Sequence, residues 1–334
     1  MLLENYSHGP GYRALISGAS GFIGSHLAEY LSQKNWSVTC LIRPASRLKF
    51  PVPPSVRIMR GEMTDPHVLQ KAVRGQDYIF HAAAQIRAVR PSAYYRSNVR
   101  LTKDLVSACA SSGRPPKRFV YISSIAAAGP SSNVFSRPKD ETFPDNPTSH
   151  YGRTKLIGEK IVAREGKSLP FTIVRPPNVY GPRQQETELL VRLIAAGLLP
   201  RLKQSHARTS LIYIRDLVES LEVCALHPAS SGQTYYLTDG GKHSWRDIIF
   251  EIQRSLKREL FLPLPQSLFA CAARIADMLR RMHLVHTMFG QKTWDALLET
   301  SWLFSAEKAK EDFAFRPSYS LKTGIRDTLA FYGL

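Results

Sequence analysis

Short apolar runs alternate with amphipathic stretches through the first half of the chain. Arg13–Ser17, Ser37–Ile42, Val56–Arg60, Asp77–His81, Arg118–Ser123 and Phe171–Arg175 are predicted strands. They are mostly apolar, as strands buried on both faces of a sheet must be. Between them, Gly24–Gln33 sets Leu27 and Leu31 on one helical face, a second helix is predicted over Tyr94–Ser111, and a third begins near Tyr151. Such alternation implies parallel strands joined by right-handed crossovers, and hence a doubly wound α/β fold.

The regularity fades after Pro176-Pro177. A strand at Thr209–Ile214, a helix at Asp216–Leu226 and a strand at Thr234–Thr238 are expected to rejoin the main domain, which then comprises 11–178 and 209–240. Segments 179–208 and 241–317 are expected to form a smaller, discontinuous C-terminal lobe covering the substrate. Within it, Leu260–Phe289 carries Leu262, Leu264, Leu268, Phe269, Ile275, Ala276, Leu279 and Met282 near helical spacing. Arg274 and Asp277 forbid a membrane-spanning helix there. Peripheral membrane contact is one reading, but packing within the domain or against a second copy is preferred.

Composition narrows the partners. Hydrophobic residues make up 43% and charged residues 22%, an ordinary globular balance. The four cysteines, Cys40, Cys109, Cys224 and Cys271, show no metal or redox spacing, so no metal is expected and the thiols read as reduced. Against 27 acidic residues stand 45 Lys and Arg, a net charge of +18 that favours anionic partners. The basic residues are dispersed and accompany no nucleic-acid motif, so a small-molecule partner is expected and nucleic acid is not. With no signal peptide and no spanning segment legible, the expected location is cytoplasmic.

The first strand runs into Gly18-Ala19-Ser20-Gly21-Phe22-Ile23-Gly24, which opens the first helix. Gly18 suits a tight turn, Gly21 lets backbone approach a pyrophosphate, and Gly24 permits close helix–strand contact. Helix-start N–H groups then meet the anion, so the strand–loop–helix context reads as a dinucleotide site. At the end of the second strand, Leu41-Ile42-Arg43-Pro44-Ala45-Ser46-Arg47 lacks the carboxylate that selects NAD. Arg43, aided by Ser46 or Arg47, is suited to a ribose 2′-phosphate, which favours NADP(H) over NAD(H). A solvated loop charge is the alternative for Arg43.

Tyr151 and Lys155 lie one helical turn apart on one face. An ammonium there is expected to lower the tyrosine's pKa and fit it for proton transfer at a carbinol oxygen. Ser124, in Tyr121-Ile122-Ser123-Ser124, follows a strand end and could hydrogen-bond the same oxygen, or simply turn the chain.

In this order, the motifs resemble those of the extended short-chain dehydrogenase/reductase (NAD-dependent epimerase/dehydratase) family. The resemblance rests on Gly18–Gly24, Gly61-Glu62-Met63-Thr64-Asp65, His81-Ala82-Ala83-Ala84, Asn98-Val99, Ser123-Ser124 and Tyr151-x-x-x-Lys155, then Arg175–Pro182, Tyr213–Leu217 and Phe315-Arg316-Pro317. It implies a Rossmann domain with catalytic Ser124, Tyr151, Lys155 and Asn98. It also implies coenzyme contacts from Gly18, Ser20, Gly21, Phe22, Ile23, Gly24, Arg43, Met63, Asp65, Ala82, Ala83, Ala84, Tyr151, Lys155, Pro176 and Val179. Asp65 would meet adenine, although it could instead cap a turn, and Asn98 could cap a helix. Leu101-Thr102 stands where the family commonly has Gly-Thr, a departure that concerns helix packing. A homodimer is a further expectation from the resemblance.

Ser124-Ile125-Ala126-Ala127-Ala128-Gly129 lacks the acidic pair of family dehydratases. It looks more like the ketone reductases and 3β-hydroxysteroid-type dehydrogenases of the family, implying alcohol–ketone redox on a hydrophobic or lipid-linked substrate. The alternatives are a nucleotide-sugar epimerase with retained NAD, and a non-catalytic NADP-binding regulator, which retention of Ser124, Tyr151 and Lys155 argues against.

Overall fold

Segments apolar on both sides build the centre of the sheet. The computed structural model describes residues 11–131, 137–165, 169–200, 207–256, 262–264 and 300–334. Its strands are β1 (Arg13–Ser17), β2 (Ser37–Ile42), β3 (Arg57–Arg60), β4 (Tyr78–His81), β5 (Arg118–Ile122), β6 (Phe171–Arg175), β7 (Asn178–Tyr180), β8 (Leu198–Pro200), β9 (Leu211–Tyr213), β10 (Gln233–Tyr236) and β11 (Leu262–Leu264). Seven of them form one parallel sheet in the order β10-β6-β5-β4-β1-β2-β3. Two short parallel pairs, β7 with β9 and β8 with β11, lie outside it.

Period-two alternation splits the strands between two cores. Ile16, Phe80, Val120 and Ile122 face one apolar cluster, while Leu15, Ile79, Phe119 and Tyr121 face the other. Leu27 and Leu31 of α1 (Phe22–Gln33) belong to the first. Leu69 and Val73 of α2 (Pro66–Val73) belong to the second. Helix α3 (Pro91–Tyr94) passes through a π turn at Tyr95–Arg100 into α4 (Leu101–Ala110), whose Leu105 and Val106 also join the second cluster. Short α5 (Ile125–Ala128) follows β5, and Val162 of α6 (His150–Glu165) completes that face. After α7 (Gln185–Ala195), α8 (Ile214–Leu226) returns Leu217 and Leu221 to the first cluster. The chain described ends with α9 (Trp245–Leu256), α10 (Glu307–Phe313) and α11 (Leu321–Phe331).

The doubly wound expectation therefore holds, and the strand order reverses between β1 and β4. Two local differences have physical causes. The helix expected from Tyr94 starts three residues earlier, because Pro91 is suited to a first helical position, and it widens to a π turn where Asn98 is buried. Helix α2 was not anticipated from periodicity, yet Asp65 caps it by accepting from the His67 N–H at 2.8 Å, with Pro66 next. Of the apolar Leu260–Phe289 stretch, only Leu262–Leu264 lies among the described residues. Among the described residues, no helix is long and apolar enough to cross a membrane.

Candidate active site

Where the strand order reverses, the β1–α1 loop and the segment leaving β4 lie against each other. Gly18 has φ +82°, and a Cβ on it would lie 2.5 Å from the Ala83 nitrogen. A Cβ on Gly24 would overlap the Gly18 carbonyl, so α1 approaches the loop as closely as backbone allows. Gly21 is exposed and caps α1 without a side-chain acceptor, flanked by half-buried Ser20, Phe22 and Ile23. Its N–H donates to the Gly18 carbonyl at 3.0 Å, which closes the turn. This glycine-lined backbone cradle fits a dinucleotide pyrophosphate. Ala82 donates its N–H to Ser17 O at 3.0 Å, which sets Ala82, Ala83 and Ala84 beside the loop.

At the far edge, Arg43 and Arg47 are exposed after β2 and no carboxylate stands between them. A residue not anticipated from sequence joins them. Arg60 ends β3 in register with Ile42 and donates from Nη1 to the carbonyls of Pro44 (3.0 Å) and Ser46 (2.9 Å). The loop carrying Arg43 is thus tethered by a second guanidinium. Met63 is buried and Asp65 is half-buried at the head of α2.

Ser124, Tyr151 and Lys155 meet beyond the carboxyl end of β5. Ser124 caps α5 by accepting from the Ala126 N–H at 3.1 Å, and its hydroxyl also bonds Tyr151. Lys155 Nζ donates to Ile122 O at 2.7 Å and lies 4.0 Å from the centre of the Tyr121 ring. Here the expected lowering of the tyrosine's pKa is corrected. Desolvation pushes the Tyr151 phenol up to about 12 against the opposing Ser124 bond, because the ammonium is turned onto Ile122 and Tyr121. Burial pushes Lys155 down to about 7, with Glu159 acting in the opposite direction. Pro176 accepts from the Ile125 N–H at 3.1 Å, and half-buried Val179 pairs with Ile212 in the neighbouring ladder.

A buried polar chain ties these parts together. Thr102 Oγ1 donates to Asn98 O at 2.8 Å, so it can only accept from His81 Nε2, 2.9 Å away. His81 Nδ1, 2.6 Å from Ser17 Oγ, is then the acceptor of the serine proton. Burial pushes His81 down to about 3, with Lys155 adding to the effect, and this neutral tautomer persists at ordinary pH. Asn98 is not a helix cap. Its Oδ1 accepts from Gln85 N–H (2.7 Å), and its Nδ2 donates to Gln85 O (3.1 Å) and Thr154 Oγ1 (3.0 Å). Thr154 in turn donates to Tyr151 O at 2.9 Å. The segment after Ala84 is thereby fastened to the helix bearing Tyr151 and Lys155.

Behind that helix lies an ion network that Tyr151-x-x-x-Lys155 alone did not disclose. Glu159, one further turn along the same face, accepts from Ser123 Oγ and from Arg175 Nε (2.9 Å) and Nη2 (2.6 Å). Arg175 also holds Asp145 through two 2.8 Å bonds. Continued i, i+4 spacing was the available signal for Glu159.

Residues 14–237 match the profile of the NAD-dependent epimerase/dehydratase family. The chain belongs to this family. It is accordingly an NAD(P)-dependent enzyme of the epimerase and dehydrogenase kind. It is 27% identical over 326 residues to a ceramide reductase of Caulobacter vibrioides, covering 95% of this chain and 93% of that one. It is 25% identical to a UDP-glucose 4-epimerase of Vibrio cholerae (94% and 93% covered). It is 26% identical to a 3β-hydroxysteroid dehydrogenase/Δ5→4-isomerase of Mycobacterium tuberculosis (96% and 90% covered). Among solved structures, an epimerase from Methanothermobacter thermautotrophicus superposes with a TM-score of 0.78 at 20% identity, covering 100% of this chain and 95% of that one.

Proposed function

We propose that this enzyme interconverts an alcohol and a ketone on a hydrophobic or lipid-linked substrate and prefers NADP(H). The observation that carries the reading is the grouping of Ser124, Tyr151 and Lys155 beside small apolar Ala126, Ala127 and Ala128, in a segment, Ser124–Gly129, that carries no carboxylate for an elimination. When bound, the nicotinamide supplies or accepts the hydride. Gly18, Gly21 and Gly24 would hold the pyrophosphate, and Ala82 to Ala84, Pro176 and Val179 would line the site. Arg43, on the loop that Arg60 tethers, would receive a 2′-phosphate, with Met63 and Asp65 toward the adenine. Ser124 Oγ would orient the reacting oxygen, and the Tyr151 hydroxyl would give up or take its proton. Lys155 would bind the ribose, with Asn98 fastening the loop after Ala84 to the helix that bears it.

The names of the Caulobacter and Mycobacterium relatives, a ceramide reductase and a steroid dehydrogenase, support the substrate class. A nucleotide-sugar epimerase is the second reading, supported by the Vibrio relative. Calorimetric titration of the protein with NADPH and NADH, after assay for retained dinucleotide, separates the two. Exchangeable coenzyme with NADPH preferred is expected, followed by turnover of hydrophobic ketones. Retained NAD without net coenzyme turnover would replace this reading with the epimerase.

A further inference from the structure

Lys155 is fully buried, and the groups facing it supply little free countercharge. Glu159, on its own helix, is shared with Arg175 of β6, which takes both of its oxygens. Tyr151 of α6 is a neutral phenol at ordinary pH, and His81 of β4 is a neutral imidazole. Among the described residues, what remains is the Ile122 carbonyl and the face of Tyr121. The 4.0 Å from Nζ to ring centre is the shortest cation–ring contact among the described residues.

The ring has no freedom to leave. Tyr121 is fully buried in β5, and its ring centre lies 5.6 Å from that of His81 at an interplanar angle of 34°. Its hydroxyl presses on Gly158 of α6, where any Cβ would overlap it. That hydroxyl faces Thr102 but has no partner in hydrogen-bonding geometry, so a hydrogen bond does not explain the placement. The ring face is the part with a task. An aromatic quadrupole attracts a cation most strongly where water is excluded.

We propose that Tyr121 is a positioning residue for Lys155: its ring, wedged against α6 at Gly158, seats the ammonium on the Ile122 carbonyl and keeps it a cation in a buried site. The proposal rests on the reading of Lys155 as the charge that faces the coenzyme. It assigns Gly158 a matching role, since a larger residue would displace the ring.

The test is NADPH affinity of the full chain, followed by calorimetry from pH 5 to 10, in the parent, Tyr121→Phe, Tyr121→Leu and Lys155→Met. Affinity is expected to fall in a step as Lys155 loses its proton, and Lys155→Met should remove that step. Tyr121→Phe keeps the ring face and should leave the step in place. Tyr121→Leu removes it, so the step should move about one pH unit lower. Tyr121→Met, which fills the space more flexibly, carries the same expectation should the leucine variant lose its circular-dichroism signature. An unmoved step in the leucine or methionine variant, or an equal move in Tyr121→Phe, overturns the proposal. A step that survives in Lys155→Met instead overturns the reading of Lys155, and the role of Tyr121 with it.

Discussion

At the scale of single residues, Tyr151 shows how burial and a neighbouring hydroxyl compete. Desolvation holds the phenol protonated, with its pKa pushed up to about 12, so at neutral pH it is poised to donate a proton rather than accept one. Ketone reduction should therefore be favoured near neutrality. The reverse oxidation should quicken as pH climbs toward the phenol's pKa and the base form grows, a trend that initial rates in both directions across pH 7–10 would check. Tyr151→Phe should cut turnover by about 100-fold or more while NADPH binding stays nearly intact. Full activity in that variant would remove the tyrosine from the chemistry. Arg43→Ala should weaken NADPH about tenfold through a lost charge-assisted bond, with far less effect on NADH. Equal losses for both coenzymes in calorimetry would reject the phosphate contact. Tyr151 and Lys155 could be picked out by their helical spacing, and Ser124 by its place after a strand end. Arg60 could not, because its contact with the 43–46 loop depends on β2 and β3 lying side by side.

Elements were legible to the degree that their surroundings were uniform. Strands such as β1, β4 and β5 are walled by apolar helices on both faces, so they read as unbroken apolar runs. The π turn before α4 carries no such mark, since one shifted hydrogen-bond register leaves the surrounding pattern almost unchanged. Helix α1 is placed by a single missing side chain. Gly24→Ala should force α1 away from the Gly18 carbonyl and cost about 1–3 kcal/mol, read as a lower urea midpoint together with weaker coenzyme binding. A variant with both values unchanged would show that the close approach is dispensable.

Across the whole molecule, Arg175 joins parts far apart in the chain. Its guanidinium holds Glu159 on α6, Asp145 before that helix, and the Tyr236 hydroxyl on β10 at 2.9 Å. Arg175→Met would leave two carboxylates without their partner, one of them buried, and should cost about 3–5 kcal/mol in urea unfolding. A loss below about 1 kcal/mol would mean that water reaches the carboxylates and compensates them. The same arginine was visible beforehand only as the first letter of a motif leading into Pro176-Pro177.

The amino-acid sequence alone determined the alternation of the core strands with helices, the phosphate-type loop and the Tyr151–Lys155 helix. Each depends on neighbours within a few residues, where periodicity and glycine placement act directly. Only the tertiary structure decided that Lys155 turns to Ile122 and Tyr121 rather than to Tyr151, that Asn98 fastens a loop to α6, and that Glu159 is shared with Arg175. Those outcomes turn on desolvation and on hydrogen-bond partners brought in from other strands, and neither exists until the sheet has closed over them.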